Sequence, residues 1–168
     1  IAGVQSHPGL VRLLRDQLWA DAAPVLARPE VQVHSGAVRS FLARTDQGFD
    51  CIRLWTPGQR GGSLRGQPLE ETFDFTVQAF RSYLDNLNQG GLLVLIHWLD
   101  PLWTETAKIL ATVGGACREQ ECGTGLILSQ STAVCLLKKG GFGSEDRKII
   151  RDFCRERGFQ SVFFAGRE

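Results

Sequence analysis

The stretch from Phe49 to Trp98 decides the fold of this chain: FDCIRLWTPGQRGGSLRGQPLEETFDFTVQAFRSYLDNLNQGGLLVLIHW. Its pattern predicts a strand over 50–55, a Gly-rich loop, a helix over about 70–87 and a second strand over 92–98. The helix is indicated by apolar side chains that recur every three or four residues on one face: Phe73, Val77, Phe80, Leu84 and Leu87. This order predicts two parallel strands joined by a crossover helix, and ligands of such sheets bind beyond the carboxyl ends of the strands.

Outward from this unit, the N-terminal residues predict two further strand–helix pairs. Residues 1–4 form a predicted strand, and Pro8 then opens a helix at the position that proline favours. The predicted core stripe of that helix consists of four leucines: Leu10, Leu13, Leu14 and Leu18. The remaining predictions of this half are a linker over 20–28 that contains Pro24, a strand over 31–35 and a short helix over 38–44.

The C-terminal residues predict one more helix, a hairpin, and a last helix–strand pair. In chain order these are a helix over 102–113 broken by Gly114-Gly115, strands over 124–129 and 133–138, a helix from its N-cap Ser144 to Gly158, and a strand over 160–165. The complete pattern predicts an α/β fold, a Rossmann-like, mostly parallel sheet with helices on both faces and an antiparallel C-terminal hairpin.

Composition limits the classes of function. The formal net charge is +1, so neither nucleic acid nor an anionic membrane is a predicted partner. The longest apolar run, Leu92–Ile96, is too short to cross a bilayer, and direct membrane insertion of this chain is not expected. The chain begins at Ile1 and contains no methionine, so we expect one domain over 1–168 that is a fragment of a longer protein.

The five cysteines are odd in number and scattered, which favours a reducing, cytoplasmic environment over a disulfide framework. Cys117 and Cys122 lie close together in sequence. Four intervening residues and no nearby histidine make a poor zinc site, so no metal site is predicted. A disulfide across this loop is the alternative.

Several stretches resemble the spermidine synthase-like proteins, which have the class I S-adenosylmethionine-dependent methyltransferase fold. The matching stretches are FDCI at 49–52, FTVQAFRSYL at 75–84, GGL at 90–92, HW at 97–98 and LLKKGGF at 136–142. The likeness is greatest to divergent members found as soluble domains beside membrane segments. It implies that this chain starts at the second strand of the fold and lacks the first strand, with its Gly-rich turn.

The resemblance also implies where S-adenosylmethionine, or its decarboxylated form, would bind. Gln5 and His7 stand where the family has an acidic residue for the ribose hydroxyls, and Gly36-Ala37 stands where it has Gly-Asp for the adenine. Trp55 begins the stretch that replaces the Asp-rich loop of the aminopropyltransferases. Each position lacks the family's carboxylate, and the Gln5 amide has only one oxygen to accept with. The absence of any bound cofactor is therefore the alternative.

His97 and Thr56 are the candidates for catalysis, because each lies at the carboxyl end of a predicted strand. A neutral His97 could act as a base, whereas the simpler interpretation is a polar side chain satisfied at the rim of the sheet. Trp55, Trp98 and Trp103 could form an aromatic wall at the same rim, or could fill space left by a decayed cofactor site.

Two functions are open at this point. The first is a degenerate spermidine synthase-like domain without aminopropyl transfer, which serves interaction or regulation. The alternative is an active methyltransferase or aminopropyltransferase whose Gly-rich cofactor loop lies upstream of Ile1. The three missing carboxylates favour the first.

The expected partners follow from the absent strand. A sheet without its first strand leaves a long edge open for pairing, so we expect another segment or a second chain to fill it. The predicted partners are therefore a second copy of this chain or a membrane-embedded segment of the same parent protein, in which this chain would be a cytoplasmic domain.

Overall fold

The computed structural model describes residues 1–55, 73–99 and 102–164. The strands are β1 (Ala2–Gln5), β2 (Gln32–Ser35), β3 (Phe49–Trp55), β4 (Leu87–Trp98), β5 (Cys122–Leu128), β6 (Thr132–Lys139) and β7 (Gln160–Phe164). The α-helices are α1 (Pro8–Asp16), α2 (Trp19–Leu26), α3 (Val38–Leu42), α4 (Val77–Asp85), α5 (Thr104–Cys117) and α6 (Ser144–Arg157). The chain forms two compact units, Ile1–Asp46 and Gln47–Glu168.

In the first unit β1 and β2 pair in parallel, with Ala2 opposite Gln32 and Gln5 opposite Ser35. Pro8 opens α1 as predicted, because a residue at the first position of a helix needs no amide hydrogen. The predicted leucine stripe is confirmed only in part. Val11 is the buried residue of α1 and Leu13 and Leu14 are half-buried, whereas Leu10 and Leu18 are exposed.

The predicted linker over 20–28 is wrong, since α2 occupies most of it and contains Pro24. Proline removes one backbone donor from a helix interior and normally disfavours it. Four alanines at positions 20, 22, 23 and 27 surround it and have the highest helix propensity of any residue type. The helix continues through the proline to Leu26.

The second unit is built on a five-stranded sheet in the order β3-β4-β6-β5-β7. β3 and β4 are parallel, and the other neighbours are antiparallel, including the predicted hairpin of β5 and β6. The mixed α/β class with its C-terminal antiparallel hairpin is thus confirmed. The interior of this unit is formed by side chains with no more than 1 % exposure: Phe80, Tyr83, Leu84, Leu93, Leu95, Val113, Cys135 and Leu137.

The crossover helix is shorter than predicted. Its described part begins after Thr76, whose Oγ1 accepts a hydrogen bond from the Ala79 amide at 3.2 Å, and it ends at Asp85. A single turn of 3-10 helix at Phe73–Phe75 precedes it, and the predicted start at residues 70–72 lies outside the described residues.

The glycine pair Gly90-Gly91 follows the predicted helix, and such a pair predicts a helix end. In the structure both glycines belong to the long strand β4 instead. Phe49 pairs with Leu87 and Cys51 with Leu92, so β4 bulges between these two positions. Gly90 has a φ of 76°, and a Cβ on Gly91 would lie 2.8 Å from the Asn88 carbonyl oxygen. The bulge therefore requires glycine for both its left-handed turn and its close backbone approach.

The helix α5 runs through Gly114-Gly115 instead of ending there. A Cβ on Gly115 would lie only 3.2 Å from Cγ2 of Val77, so this glycine is where α5 comes close to α4. The last helix, α6, is capped by Gly143 rather than Ser144, and the Gly143 amide donates to Oδ2 of Asp146 at 2.9 Å. Gly158 ends α6 as predicted, with a φ of 69°.

Among the described residues, β1 has a hydrogen-bonded neighbour strand only in β2, and β3 only in β4. No helix in the described part of the chain is both long and apolar enough to cross a membrane.

Candidate functional site

The first group of predicted site residues lies in the N-terminal unit, where β1 and β2 end side by side. The Gly36 amide donates to the Gln5 carbonyl oxygen at 3.0 Å, which joins the ends of the two strands. The parallel register therefore brings Gln5, His7, Gly36 and Ala37 to one edge of the small sheet. The parallel pairing of β1 and β2 explains why these four residues lie together at the carboxyl ends of the two strands.

The Gln5 side chain is directed toward its own turn. Its Oε1 accepts a hydrogen bond from the His7 backbone amide at 3.0 Å, and the Ser6 hydroxyl lies 3.5 Å from the same atom. Gln5 thus stabilises the turn from β1 into α1. This local contact was not predicted from the sequence. The signal for it is that the backbone amides at the start of a helix lack partners within the helix, and that Gln5 stands two residues before such an amide.

Gly36 and Ala37 form the turn from β2 into α3. Gly36 has a φ of 139°, a conformation that other residues rarely adopt, and no atom would lie within 4 Å of a Cβ built there. Ala37 is the N-cap of α3 and provides no side-chain hydrogen bond to it. The space above Gly36 is open, and the residue beside it has neither a donor nor an acceptor in its side chain.

These residues do not fit an adenosyl group in the way the resemblance implies. A ribose bound through both hydroxyls is held by two carboxylate oxygens, whereas Gln5 has one amide oxygen that already accepts from His7. Ala37 cannot accept a hydrogen bond from an adenine amino group through its side chain.

The second group lies in the C-terminal unit, at the carboxyl ends of β3 and β4. Trp55 is 48 % exposed, and its ring meets the ring of Trp98 edge to face, with 5.9 Å between centroids. Two of the three predicted tryptophans are thus in contact. Trp103 is also exposed and precedes α5 with a φ of 58°, while Thr56 lies outside the described residues.

His97 is buried, with 2 % of its surface exposed, since successive residues of β4 point to opposite faces of the sheet. Its Nε2 lies 2.9 Å from Oγ1 of Thr106, a buried residue of α5. The contact joins β4 to α5 in the interior. The sequence analysis did not predict Thr106 as the partner of His97. A buried histidine in an apolar strand needs a polar partner, and the helix that follows the strand is a candidate source of one.

Cys117 and Cys122 are joined by a disulfide, which settles the alternative that the sequence left open. Within the ranges that the structure describes, no three His, Cys, Asp or Glu side chains are grouped so that they could hold a metal ion. A cavity of about 670 Å³ that is open to solvent lies in the N-terminal unit, and it is lined by Arg15, Trp19, Leu26, Val31, Gln32, Val33 and His34.

Comparison with known proteins shows similarity at the level of structure. No protein-family model and no curated protein sequence matches the chain. It is similar to the spermidine synthase from Thermotoga maritima, with a TM-score of 0.57 and 9 % identity over 86 % of this chain and 47 % of that one. It is also similar to a putative rRNA methylase from Clostridium thermocellum, with a TM-score of 0.53 and 13 % identity over 82 % of this chain and 74 % of that one.

A putative S-adenosylmethionine-dependent methyltransferase from Streptococcus mutans gives a TM-score of 0.54 at 12 % identity, over 82 % of this chain and 38 % of that one. The chain spans about half the length of the spermidine synthases that it matches. The expected fold is confirmed by these similarities: the chain has the class I S-adenosylmethionine-dependent methyltransferase-like fold that the spermidine synthases share.

Proposed function

We propose that this chain is a spermidine synthase-like domain with a degenerate adenosyl site, and that it does not transfer aminopropyl groups. The observation that carries the proposal is the Gln5 side chain, whose single acceptor oxygen already accepts a hydrogen bond from the His7 amide. A ligand that replaced this contact would take the acceptor away from the amide of His7, the exposed N-cap residue of α1. Replacing the Gln5–His7 hydrogen bond by one to a ligand hydroxyl would gain little binding free energy, because one neutral hydrogen bond would replace another.

The rim of the second unit, where the resemblance places the acceptor amine, supports the same proposal. An amine that accepts an aminopropyl group is a cation, and it needs carboxylates to hold and deprotonate it. Trp55 and Trp98 stand at this rim instead, and the sequence contains no acidic residue from Leu54 to Leu69. The exposed Trp55 beside the half-buried Trp98 fits an apolar contact, so we assign this rim to interaction and not to amine chemistry.

Isothermal titration calorimetry of the 168-residue chain tests the proposal. S-adenosylmethionine, decarboxylated S-adenosylmethionine and methylthioadenosine should each give no measurable heat of binding. A micromolar Kd for any of the three would overturn the degenerate site and favour an active transferase.

A gain-of-binding variant tests whether the missing carboxylates are the reason that no adenosyl compound binds. Gln5→Glu combined with Ala37→Asp restores both carboxylates at the strand ends, and should bind methylthioadenosine more tightly than the parent chain does. The matched control is Gln130→Glu combined with Ser131→Asp, which adds the same two negative charges at exposed turn residues of the C-terminal hairpin. Equal behaviour of the two variants would show that the missing carboxylates are not the cause.

A further inference from the structure

One face of α6 carries an exposed row of four residues at intervals of four: Glu145, Ile149, Phe153 and Arg157. We call this row the α6 stripe. Ile149 is 59 % exposed and Phe153 is 47 % exposed, which is unusual for two large apolar side chains in neighbouring helical turns. The buried side of the helix is supplied by other residues, among them Cys154.

The apolar centre of the α6 stripe extends beyond the helix. The ring of Phe159 lies 6.1 Å from that of Phe153, between centroids, and Val162 of β7 is 42 % exposed. The Arg157 guanidinium lies over the Phe153 ring, 5.6 Å from its centroid. The arginine therefore flanks the apolar surface at one end, as Glu145 does at the other.

The order of residues in the α6 stripe is symmetric. An acid and a base stand at its ends, and the two apolar residues stand at equal distances from its midpoint at the level of residue 151. If two such helices cross in antiparallel fashion at this level, Glu145 faces Arg157 of the second copy and Ile149 faces its Phe153. Rows of residues four apart are also the ridges that interdigitate in the commonest class of helix packing, at about −50°.

We propose that the α6 stripe is a self-association surface, on which a second copy of this chain docks through its own α6 in antiparallel orientation. The two-fold symmetry makes every contact occur twice, so two Glu145–Arg157 pairs flank one apolar centre. The dipoles of the two helices are also opposed in this arrangement. A contact of one helix pair buries less than the ~800 Å² per partner of a standard stable interface, so we expect a concentration-dependent equilibrium.

Sedimentation equilibrium of the full 168-residue chain over a wide concentration range tests the proposal. The parent chain should show a monomer–dimer equilibrium, and Phe153→Glu should weaken it by at least about tenfold, since a carboxylate would enter the apolar centre. Val25→Glu is the control, because Val25 is also an exposed apolar helix residue, at 57 % exposure, but lies outside the stripe. It should leave the equilibrium unchanged.

Charge exchange tests the antiparallel register. Glu145→Arg should weaken association by about tenfold, because it turns two attractive pairs into repulsive ones. The double variant Glu145→Arg/Arg157→Glu should restore association to within about threefold of the parent, since the pairs are then reversed but complementary. Circular dichroism of each variant is the control that checks whether it is folded.

Three outcomes would overturn the proposal. The first is a parent chain that stays monomeric at all concentrations, and the second is a dimer that Phe153→Glu does not weaken. The third is an association that Glu145→Arg weakens and the double variant fails to restore, which would exclude the antiparallel pairing.

Discussion

Asp146 is held by two partners at the start of α6. Its Oδ2 accepts from the Gly143 backbone amide and forms an ion pair with Lys138 of β6. The Lys138 hydrogen bond, followed by that of Gly143, lowers the pKa of the Asp146 carboxyl below its ordinary value of 3.8. The carboxylate thus links the helix start to the sheet.

Asp146→Ala should lower the free energy of unfolding by about 1 kcal/mol at neutral pH, with the ion pair discounted because it is partly solvated. A lowered pKa contributes stability that is present above pH ~4 and is lost as the pH falls through the folded-state value. The difference between the parent and the variant should therefore shrink below pH ~4 in urea unfolding.

Asp152→Ala is the control for this prediction, because its ion pair with Arg155 is more exposed. It should change the free energy of unfolding by no more than a few tenths of a kcal/mol. A difference between Asp146→Ala and the parent chain that persists unchanged to pH ~2 would contradict the assigned cause.

Single residues with a local role could be predicted from the sequence, whereas those that depend on distant partners could not. Pro8 and Gly158 mark helix ends through their own backbone preferences. Gln5 was located correctly at the end of β1, but its contact with His7 depends on the geometry of the turn. The burial of His97 depends on Thr106, which lies on the next helix.

At the scale of elements, the predictions failed where glycine meets another element. Gly114-Gly115 predicts a helix end, yet α5 continues through both glycines because it packs against α4. The Gly90-Gly91 pair predicts a helix end, whereas it forms a bulge that depends on the pairing of β4 with β3. The hairpin of β5 and β6 needed no distant partner, and it was predicted correctly.

The two glycines of α5 should therefore respond differently to alanine. No atom would lie within 4 Å of a Cβ on Gly114, so Gly114→Ala should raise the free energy of unfolding by about 0.5–1 kcal/mol through helix propensity. Gly115→Ala should gain less, because its Cβ would press against Val77 at 3.2 Å. Urea unfolding of both variants measures the difference.

The Val77→Ala background is the control for the glycine pair. Removal of the Val77 methyl groups takes away the obstacle, so the gains from Gly114→Ala and Gly115→Ala should converge there. Equal gains in the parent background would show that the contact between α4 and α5 does not constrain Gly115.

At the scale of the whole molecule, the two units differ in how much they bury. Within Ile1–Asp46 only Val11 and Leu42 are buried, and each keeps a few per cent of its surface exposed, whereas β4 and β6 of the second unit carry several side chains with no exposed surface. Local opening is easiest where few apolar contacts must be broken. The N-terminal unit is therefore the less stable part.

Hydrogen exchange followed by mass spectrometry of the intact chain should show this difference. The amides of β1 and β2 should exchange at least about a hundredfold faster than those of β4 and β6. Similar protection in both sheets would mean that the small number of buried side chains in the first unit does not determine its stability.

The fold class could be predicted from the Phe49–Trp98 stretch because a strand, a crossover helix and a strand constrain each other strongly. The same stretch could not show how the candidate site residues are divided. Gln5, His7, Gly36 and Ala37 lie in one compact unit, and Trp55 and His97 lie in the other. That division depends on how many side chains each segment can bury, which is a property of the folded chain.

The strand order also has a consequence for the chain while it is being synthesised. β4 can pair with β3 as soon as both have left the ribosome, but its other edge is covered by β6, which follows about 30 residues later. At ~5–20 residues per second, this apolar edge stays open for several seconds during each round of translation. We therefore expect the C-terminal hairpin to protect the nascent chain from aggregation, because a ribosome that stalls between β4 and β6 would leave β4 paired along one edge only.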